Sequence, residues 1–153
     1  MKFINFIAFI AAATAAIINT RPNYFLIRHA EKNRDGTISS QGIKREHCLV
    51  HLFGRHSKYN IRHIIAPKRH FGDYIYTSQR PYNTTLLLAD SLGIQIDESC
   101  EFTDTECAGR KALNYRGPGN VLIAWEHERL PNVSRAIGGH NVKKYPGENR
   151  LFK

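Results

Sequence analysis

The sequence predicts a three-layer α/β/α domain built around a mostly parallel central sheet. Four short apolar segments recur along the chain, and segments with helical patterning lie between them. Such alternation is typical of crossover connections, which join parallel strands. Most of the four segments are continuously apolar rather than alternating, as expected when helices cover both faces of the sheet.

The four apolar segments are the predicted strands, since each is too short to be a core helix. In chain order they are "YFLI" (24–27), "IRHIIA" (61–66), "IQI" (94–96) and "VLIAW" (121–125). The basic stretch "APKRHFGDYIYTSQ" (66–79) follows the second strand, and we expect it to form a surface loop.

Three predicted helices lie between or after these strands. In the first, Ser39 or Ser40 caps a helix that carries residues 44–53, and a glycine then ends it. The second begins at Arg80, next to a proline that suits a first helical turn, and runs to a glycine at position 93. The third covers Leu130 to Ile137 and ends at two glycines.

Residues 1–16 have the layout of a secretory signal peptide. A single lysine precedes an apolar run that reaches Ile18, and small residues allow cleavage near Ala15 or Ala16. A membrane anchor is disfavoured because the run falls short of the ~20 apolar residues that a spanning helix needs. Residues 21–153 are long enough for one hydrophobic core, so we expect a single domain.

The net charge is strongly positive. The chain has 22 lysine and arginine residues, and loss of Lys2 with the leader leaves 21 against 13 acidic residues, a charge of +8 with neutral histidines. This balance favours anionic partners, although the same charge also keeps a small secreted protein soluble. A nucleic-acid partner is disfavoured because the sequence has no aromatic-rich basic stripe on which bases could stack.

Three cysteines remain in a chain that is predicted to reach an oxidising compartment, so two of them should pair. Cys100 and Cys107 enclose the polar stretch "EFTDTE", and we predict that they form a disulfide. Closing so short a loop contributes roughly 2–3 kcal/mol. Cys48 lies in a helical pattern beside an apolar residue, which predicts a buried free thiol.

Basic side chains follow two of the predicted strands. Arg28 and His29 come directly after the first strand, and His127 follows the last. Because ligands of parallel α/β sheets bind beyond the carboxyl ends of the strands, we expect these side chains to converge. Arg80 heads the second helix, where free backbone N–H groups favour an anion.

A phosphate group suits such a pocket. A guanidinium can bind two phosphoryl oxygens at once, which lysine cannot reproduce. A neutral imidazole can attack phosphorus and form a phosphohistidine that water later hydrolyses, while a second, protonated imidazole stabilises the developing charge.

Several motifs together carry a resemblance to a known family. "RHAEK", "SSQG", "RPYNT" and "WEH" occur in the order and spacing of the histidine phosphatase superfamily, which has the phosphoglycerate mutase-like fold. The chain is most similar to small secreted fungal members, through "CLVHLFG", "YNIRHIIA" and "SCEFTDTEC". The resemblance extends from Tyr24 to about Pro146.

This resemblance assigns a role to each basic residue of the pocket. His29 matches the phosphorylated nucleophile, and Arg28 matches the phosphate-binding arginine before it. Arg80 matches the arginine four residues ahead of the family's threonine, which is Thr84 here, and His127 matches the second pocket histidine.

The proton donor is less sharply defined. In the family it is an acidic residue after the third strand, and here Asp104 is the first choice and Glu101 the second. Ala30 replaces the family's usual glycine. The chain stops after "YPGENRLFK", where relatives continue into another apolar strand, so the resemblance leaves open whether a C-terminal edge strand is missing.

The expected function is that of a secreted phosphomonoesterase, which releases phosphate from a small-molecule ester without a metal or other cofactor and without membrane attachment. One alternative is a catalytically silent relative that binds phosphate or a polyanion. A phosphomutase ranks lower, because mutases exclude water with lid insertions for which this chain has little length.

Three further polar side chains have alternative interpretations. Glu126, beside His127, either tunes that imidazole or lies on the rim of the pocket. His47 and His51 are four residues apart on one predicted helix, but no third and fourth ligand for a structural zinc ion is visible, so we expect two surface histidines.

Overall fold

Four strands and four helices alternate along the part of the chain that the structure describes. The computed structural model describes residues 21–72 and 78–143, and in that part of the chain no helix is both long and apolar enough to cross a lipid bilayer. The predicted signal peptide (1–16), part of the basic loop (73–77) and the residues after 143, where a C-terminal edge strand was in question, lie outside the described residues. The elements are β1 (Tyr24–Arg28), α1 (Ser40–Phe53), β2 (Ile61–Pro67), α2 (Gln79–Leu92), β3 (Ile96–Cys100), α3 (Thr105–Asn114), β4 (Asn120–Trp125) and α4 (Leu130–Ala136).

The four strands form one parallel sheet in the order β1-β4-β2-β3. The last strand of the described chain, β4, therefore lies between the first two. In the β1–β4 pair, Arg28 is level with Trp125, so both strands end at the same edge of the sheet. The predicted parallel sheet is confirmed.

Helices cover both faces of this sheet, which confirms the three-layer architecture. On one face α1 packs against α2, and on the other α3 packs against α4. The side chains of β1 divide between the two cores: Phe25 and Ile27 pack toward α1 and α2, whereas Tyr24 and Leu26 pack toward α3 and α4. This division explains why the strand is apolar at consecutive positions.

The predicted helix boundaries are close to those observed. Ser39 is the N-cap of α1, where its hydroxyl accepts a hydrogen bond from the Gly42 N–H at 3.1 Å, and Gly54 is the C-cap. Helix α2 begins at Gln79, one residue earlier than predicted, and ends at Gly93, whose φ of 68° is left-handed. Glycine adopts this conformation without steric cost.

The predicted position of the third strand is wrong. Strand β3 covers Ile96–Cys100 rather than residues 94–96, so most of it is the polar sequence "DES". Among the strands that the structure describes, β3 pairs with β2 alone and lies at the edge of the sheet, where polar side chains can reach water. A prediction from continuous apolar residues therefore places this strand too early in the sequence.

Helix α3 was not predicted. Its buried face consists of small residues, with Ala108 and Ala112 fully buried one turn apart, so it gives little apolar signal. Gly109 allows close approach to α4, because a Cβ at this position would collide with Ala136. The helix begins after Asp104, whose carboxylate accepts a hydrogen bond from the Cys107 N–H at 2.8 Å.

The three cysteines follow the sequence prediction only in part. The disulfide between Cys100 and Cys107 is present and joins the end of β3 to the first turn of α3. Cys48 is free, as predicted, but the prediction that it is buried is wrong. Helix α1 buries Leu49 and Phe53, and Cys48 is one position removed from that stripe and faces outward.

Candidate active site

The ends of β1 and β4 bring two histidines together. The His29 N–H continues the ladder by donating to the Trp125 carbonyl at 3.1 Å, and His127 follows two residues after that carbonyl. The two imidazole rings are 6.4 Å apart between centroids, at an interplanar angle of 69°. Two histidines that are far apart in the sequence thus face one space at the carboxyl edge of the sheet.

The His29 side chain is held in one orientation. It is 1% exposed, and its Nδ1 lies 2.7 Å from the Ala30 carbonyl oxygen. A carbonyl can only accept a hydrogen bond, so Nδ1 carries the proton and Nε2 carries the lone pair. Nε2 is buried and has no hydrogen-bond partner among the residues that the structure describes. The buried Nε2 of the ring is therefore unprotonated.

Positive charge surrounds this nitrogen. Burial lowers the pKa of His29 most, and repulsion by Arg80, Arg28 and His127 lowers it further, while the hydrogen bond to Ala30 acts in the opposite direction. The resulting pKa is about 4, against an ordinary value of 6.5. His29 is thus neutral at neutral and mildly acidic pH, in an environment that favours an anion.

Helix α2 is joined directly to the histidine segment. Thr84 is fully buried, and its Oγ1 accepts a hydrogen bond from the Ala30 N–H at 2.8 Å while it donates one to the Arg80 carbonyl at 2.8 Å. Arg80, in the first turn of α2, is 5% exposed. One hydroxyl therefore fixes the distance between the backbone of Ala30, directly after His29, and that of Arg80.

Replacing Thr84 by valine should lower the free energy of unfolding by about 1–3 kcal/mol, because the buried Ala30 N–H then has no acceptor. Denaturant unfolding measures this change. Thr85→Val is the matched control: Thr85 is equally buried, but its hydroxyl only donates to carbonyls of its own helix, Pro81 at 3.2 Å and Tyr82 at 3.1 Å. Equal losses in the two variants would contradict this role of Thr84.

The segment after His29 is supported by α1. The Glu31 carbonyl accepts a hydrogen bond from the Ser39 N–H at 2.9 Å, and the Glu31 carboxylate forms a two-pronged ion pair with Arg45. A Cβ at Gly42 would collide with the same carbonyl. The "SSQG" motif therefore supplies a helix cap and a close backbone contact that hold the segment after His29 in place.

The two predicted proton donors are engaged in contacts of their own. The Glu101 carboxylate lies 2.6 Å from His70 Nε2 and 3.1 Å from Lys68 Nζ, and the hydrogen bond to His70 contributes most to lowering its pKa. Asp104 caps α3 and also lies 3.9 Å from Arg110. Both carboxylates are about half exposed, and neither belongs to the compact group that contains His29.

Glu126 is the acidic residue that lies beside the histidines. The residue is 7% exposed, and one carboxylate oxygen, Oε1, is 2.5 Å from His127 Nδ1. The other, Oε2, accepts a hydrogen bond from the Glu128 N–H at 2.9 Å. Of the two interpretations of Glu126, a position on the rim is wrong. Its place directly after a continuously apolar strand is the sequence signal that indicates burial.

The same group was considered as a metal site. His29, Glu126 and His127 each offer one ligand atom, and these atoms lie within 4.8 Å of one another. The repulsion that lowers the pKa of His29 comes from Arg28 and Arg80 and opposes a cation equally. An anion therefore fits the electrostatics of the group better than a metal ion does.

Comparison of the chain with protein-family models, with curated proteins and with solved structures found no match. The assignment of function therefore depends on the geometry of the site and on the motifs in the sequence.

Proposed function

We propose that this protein is a phosphomonoesterase of the histidine phosphatase type, in which His29 is the nucleophile. The observation that supports this most is the buried, unprotonated Nε2 of His29, whose ring lies 6.4 Å from that of His127 in positively charged surroundings. A neutral imidazole in such a place is a nucleophile for an anionic phosphorus centre. The neighbouring cations reduce the charge repulsion between the ester and its attacker.

In the first step His29 Nε2 bonds to phosphorus while the bond from phosphorus to the ester oxygen breaks, and the alcohol leaves with a proton from an acidic group. In the second step water attacks the phosphohistidine and releases phosphate. Arg28, Arg80 and His127 bind the phosphoryl oxygens throughout. Because these cationic side chains supply the electrostatic stabilisation, neither step requires a metal.

The test is a panel of phosphate monoesters at mildly acidic to neutral pH, with and without a chelator. We expect phosphate release that the chelator does not reduce, and a phosphohistidine at position 29 in rapidly quenched reactions analysed by mass spectrometry. Absence of turnover across the panel would contradict the proposal. Binding of inorganic phosphate or a polyanion without turnover, weakened steeply by salt, would favour the silent binding protein instead.

We further propose that the protein is secreted. The disulfide between Cys100 and Cys107 fits an oxidising compartment, and the leader-like residues 1–16 supply a route to it. N-terminal sequencing of protein recovered from the medium, with a start close to residue 16 or 17, tests this point.

Arg80→Lys should reduce kcat/KM for any ester that is turned over by about 10²-fold. Lysine keeps the charge but cannot form two parallel hydrogen bonds to the phosphoryl group. Steady-state kinetics and the inhibition constant of inorganic phosphate measure the effect. Arg135→Lys, on the exposed surface of α4, is the control. An unchanged inhibition constant in the Arg80 variant would remove this residue from the phosphate site.

A further inference from the structure

The acid that protonates the leaving alcohol need not be either residue that the sequence suggests. We propose that Glu126 is the proton donor of this pocket, in place of Asp104 or Glu101. The inference rests on the proposed phosphatase function and adds to it a catalytic residue that neither the motifs nor the family resemblance assigns.

The first reason is distance. A carboxylate oxygen of Glu126 lies within 4.8 Å of a ring nitrogen of His29 and of one of His127. A proton donor must come within about 2.6–3.2 Å of the oxygen that it protonates. During transfer that oxygen is bonded to the same phosphorus as His29, so the donor must lie next to the nucleophile, as Glu126 does.

The second reason is that the carboxyl group is held in place. Oε2 accepts a hydrogen bond from the Glu128 N–H, and Oε1 lies 2.5 Å from His127 Nδ1, so the oxygen that carries the proton in this proposal is the one beside the histidine pair. The backbone after Glu126 is equally fixed, because its carbonyl accepts from the N–H groups of Arg129 and Leu130 at 3.1 and 3.0 Å. This turn leads into α4 and directs the side chain inward.

The third reason is that the rival carboxylates have other roles. Asp104 caps α3, and Glu101 is paired with His70 and Lys68 at the end of β3. Both would have to give up these partners to reach a substrate. Glu126 Oε1 is also engaged, but its partner is His127 Nδ1, which itself belongs to the histidine pair, so the carboxyl group already lies at the site.

The proton balance of the two steps is complete with this one residue. As the bond between His29 Nε2 and phosphorus forms, the ester bond breaks and the Glu126 carboxyl transfers its proton to the leaving oxygen. The resulting carboxylate then accepts a proton from the water that attacks the phosphohistidine. Phosphate departs, His29 is neutral again, and Glu126 is protonated for the next cycle.

Leaving groups of different basicity test the inference. An alkyl phosphate such as glycerol phosphate needs a proton on its leaving oxygen, whereas p-nitrophenyl phosphate expels a stable phenolate without one. We expect Glu126→Gln to lower kcat/KM for glycerol phosphate by about 10²–10⁴-fold and for p-nitrophenyl phosphate by less than about tenfold. Because kcat/KM reports only the steps up to alcohol release, slow hydrolysis of the phosphohistidine does not obscure the comparison.

Glu128→Gln is the matched control, since it makes the same change on an exposed carboxylate two residues away. It should keep the wild-type ratio between the two substrates, and so should Asp104→Asn and Glu101→Gln. Glu126→Asp, which keeps an acid, should give an intermediate ratio and serves as a second variant if the glutamine variant folds poorly.

Two outcomes would overturn the inference. Equal losses on both substrates in Glu126→Gln would make Glu126 a residue that only orients His127, and a selective loss in Asp104→Asn or Glu101→Gln would assign the donor there. Either result leaves the phosphatase proposal intact, because that proposal depends on turnover and on His29. If the wild-type protein turns over neither ester, both proposals fail together.

Discussion

His29→Ala should lower kcat/KM for phosphate esters by at least about 10⁴-fold and abolish the trapped phosphohistidine, because removal of a nucleophile eliminates the covalent route altogether. Binding of inorganic phosphate should persist, since Arg28, Arg80 and His127 remain. Initial rates on p-nitrophenyl phosphate and calorimetric binding of phosphate measure the two quantities separately.

Two variants control this experiment. His29→Asn removes the nucleophile but keeps an amide N–H near the Ala30 carbonyl that His29 contacts at 2.7 Å. Its activity should be as low as that of His29→Ala, and its fold closer to wild type. His51→Ala changes an exposed histidine on α1 and should be fully active. Activity that survives in both His29 variants would remove His29 from the role of nucleophile.

The stability of the wild-type protein should fall as the pH drops from about 6.5 to about 4, and the His29 contribution to this loss should be about 3 kcal/mol. The pKa of His29 is about 4 in the folded protein and near 6.5 when the chain is unfolded. Between these values the unfolded chain binds a proton that the folded chain does not, so unfolding is favoured. Above about 6.5 the contribution is fully retained.

Denaturant unfolding of wild type and His29→Asn at several pH values isolates this contribution. Carboxylates such as Glu31 and Glu98, whose pKa values are lowered by ion pairs with Arg45 and Arg69, also affect acid stability, but equally in both proteins. The difference between the two curves should therefore change by about 1.4 kcal/mol per pH unit across this range. Parallel curves would contradict a depressed pKa at His29.

The sequence was sufficient to predict the elements whose pattern is local. β2 and β4 are largely buried, and the half-buried β1 packs against helices on both faces, so the continuous apolar character of these strands identifies them. The Ser39 cap and the glycine ends mark α1 and α2. β3 and α3 give weaker signals. An edge strand tolerates "DES", and a helix that packs through alanines and one glycine has little apolar periodicity.

In the candidate site, too, some features follow from the sequence pattern, whereas others depend on how distant segments pack. The proximity of His29 and His127 follows from the rule that parallel strands present their carboxyl ends at one edge, which the motif order already implies. The partners of Asp104 and Glu101 could not be predicted, because they depend on how the segment at 68–70 and α3 pack at the end of β3. The inward position of Glu126 depends likewise on the turn before α4.

The strand order also has a consequence for biosynthesis. β1 is translated first, yet β4, its neighbour in the described sheet, is the last of the four strands to leave the ribosome, whereas β2 already has β3 beside it. Until then β1 has no hydrogen-bonded partner, and the loops that carry the two histidines cannot approach one another. A nascent chain that stops before residue 120 should therefore remain open to proteases.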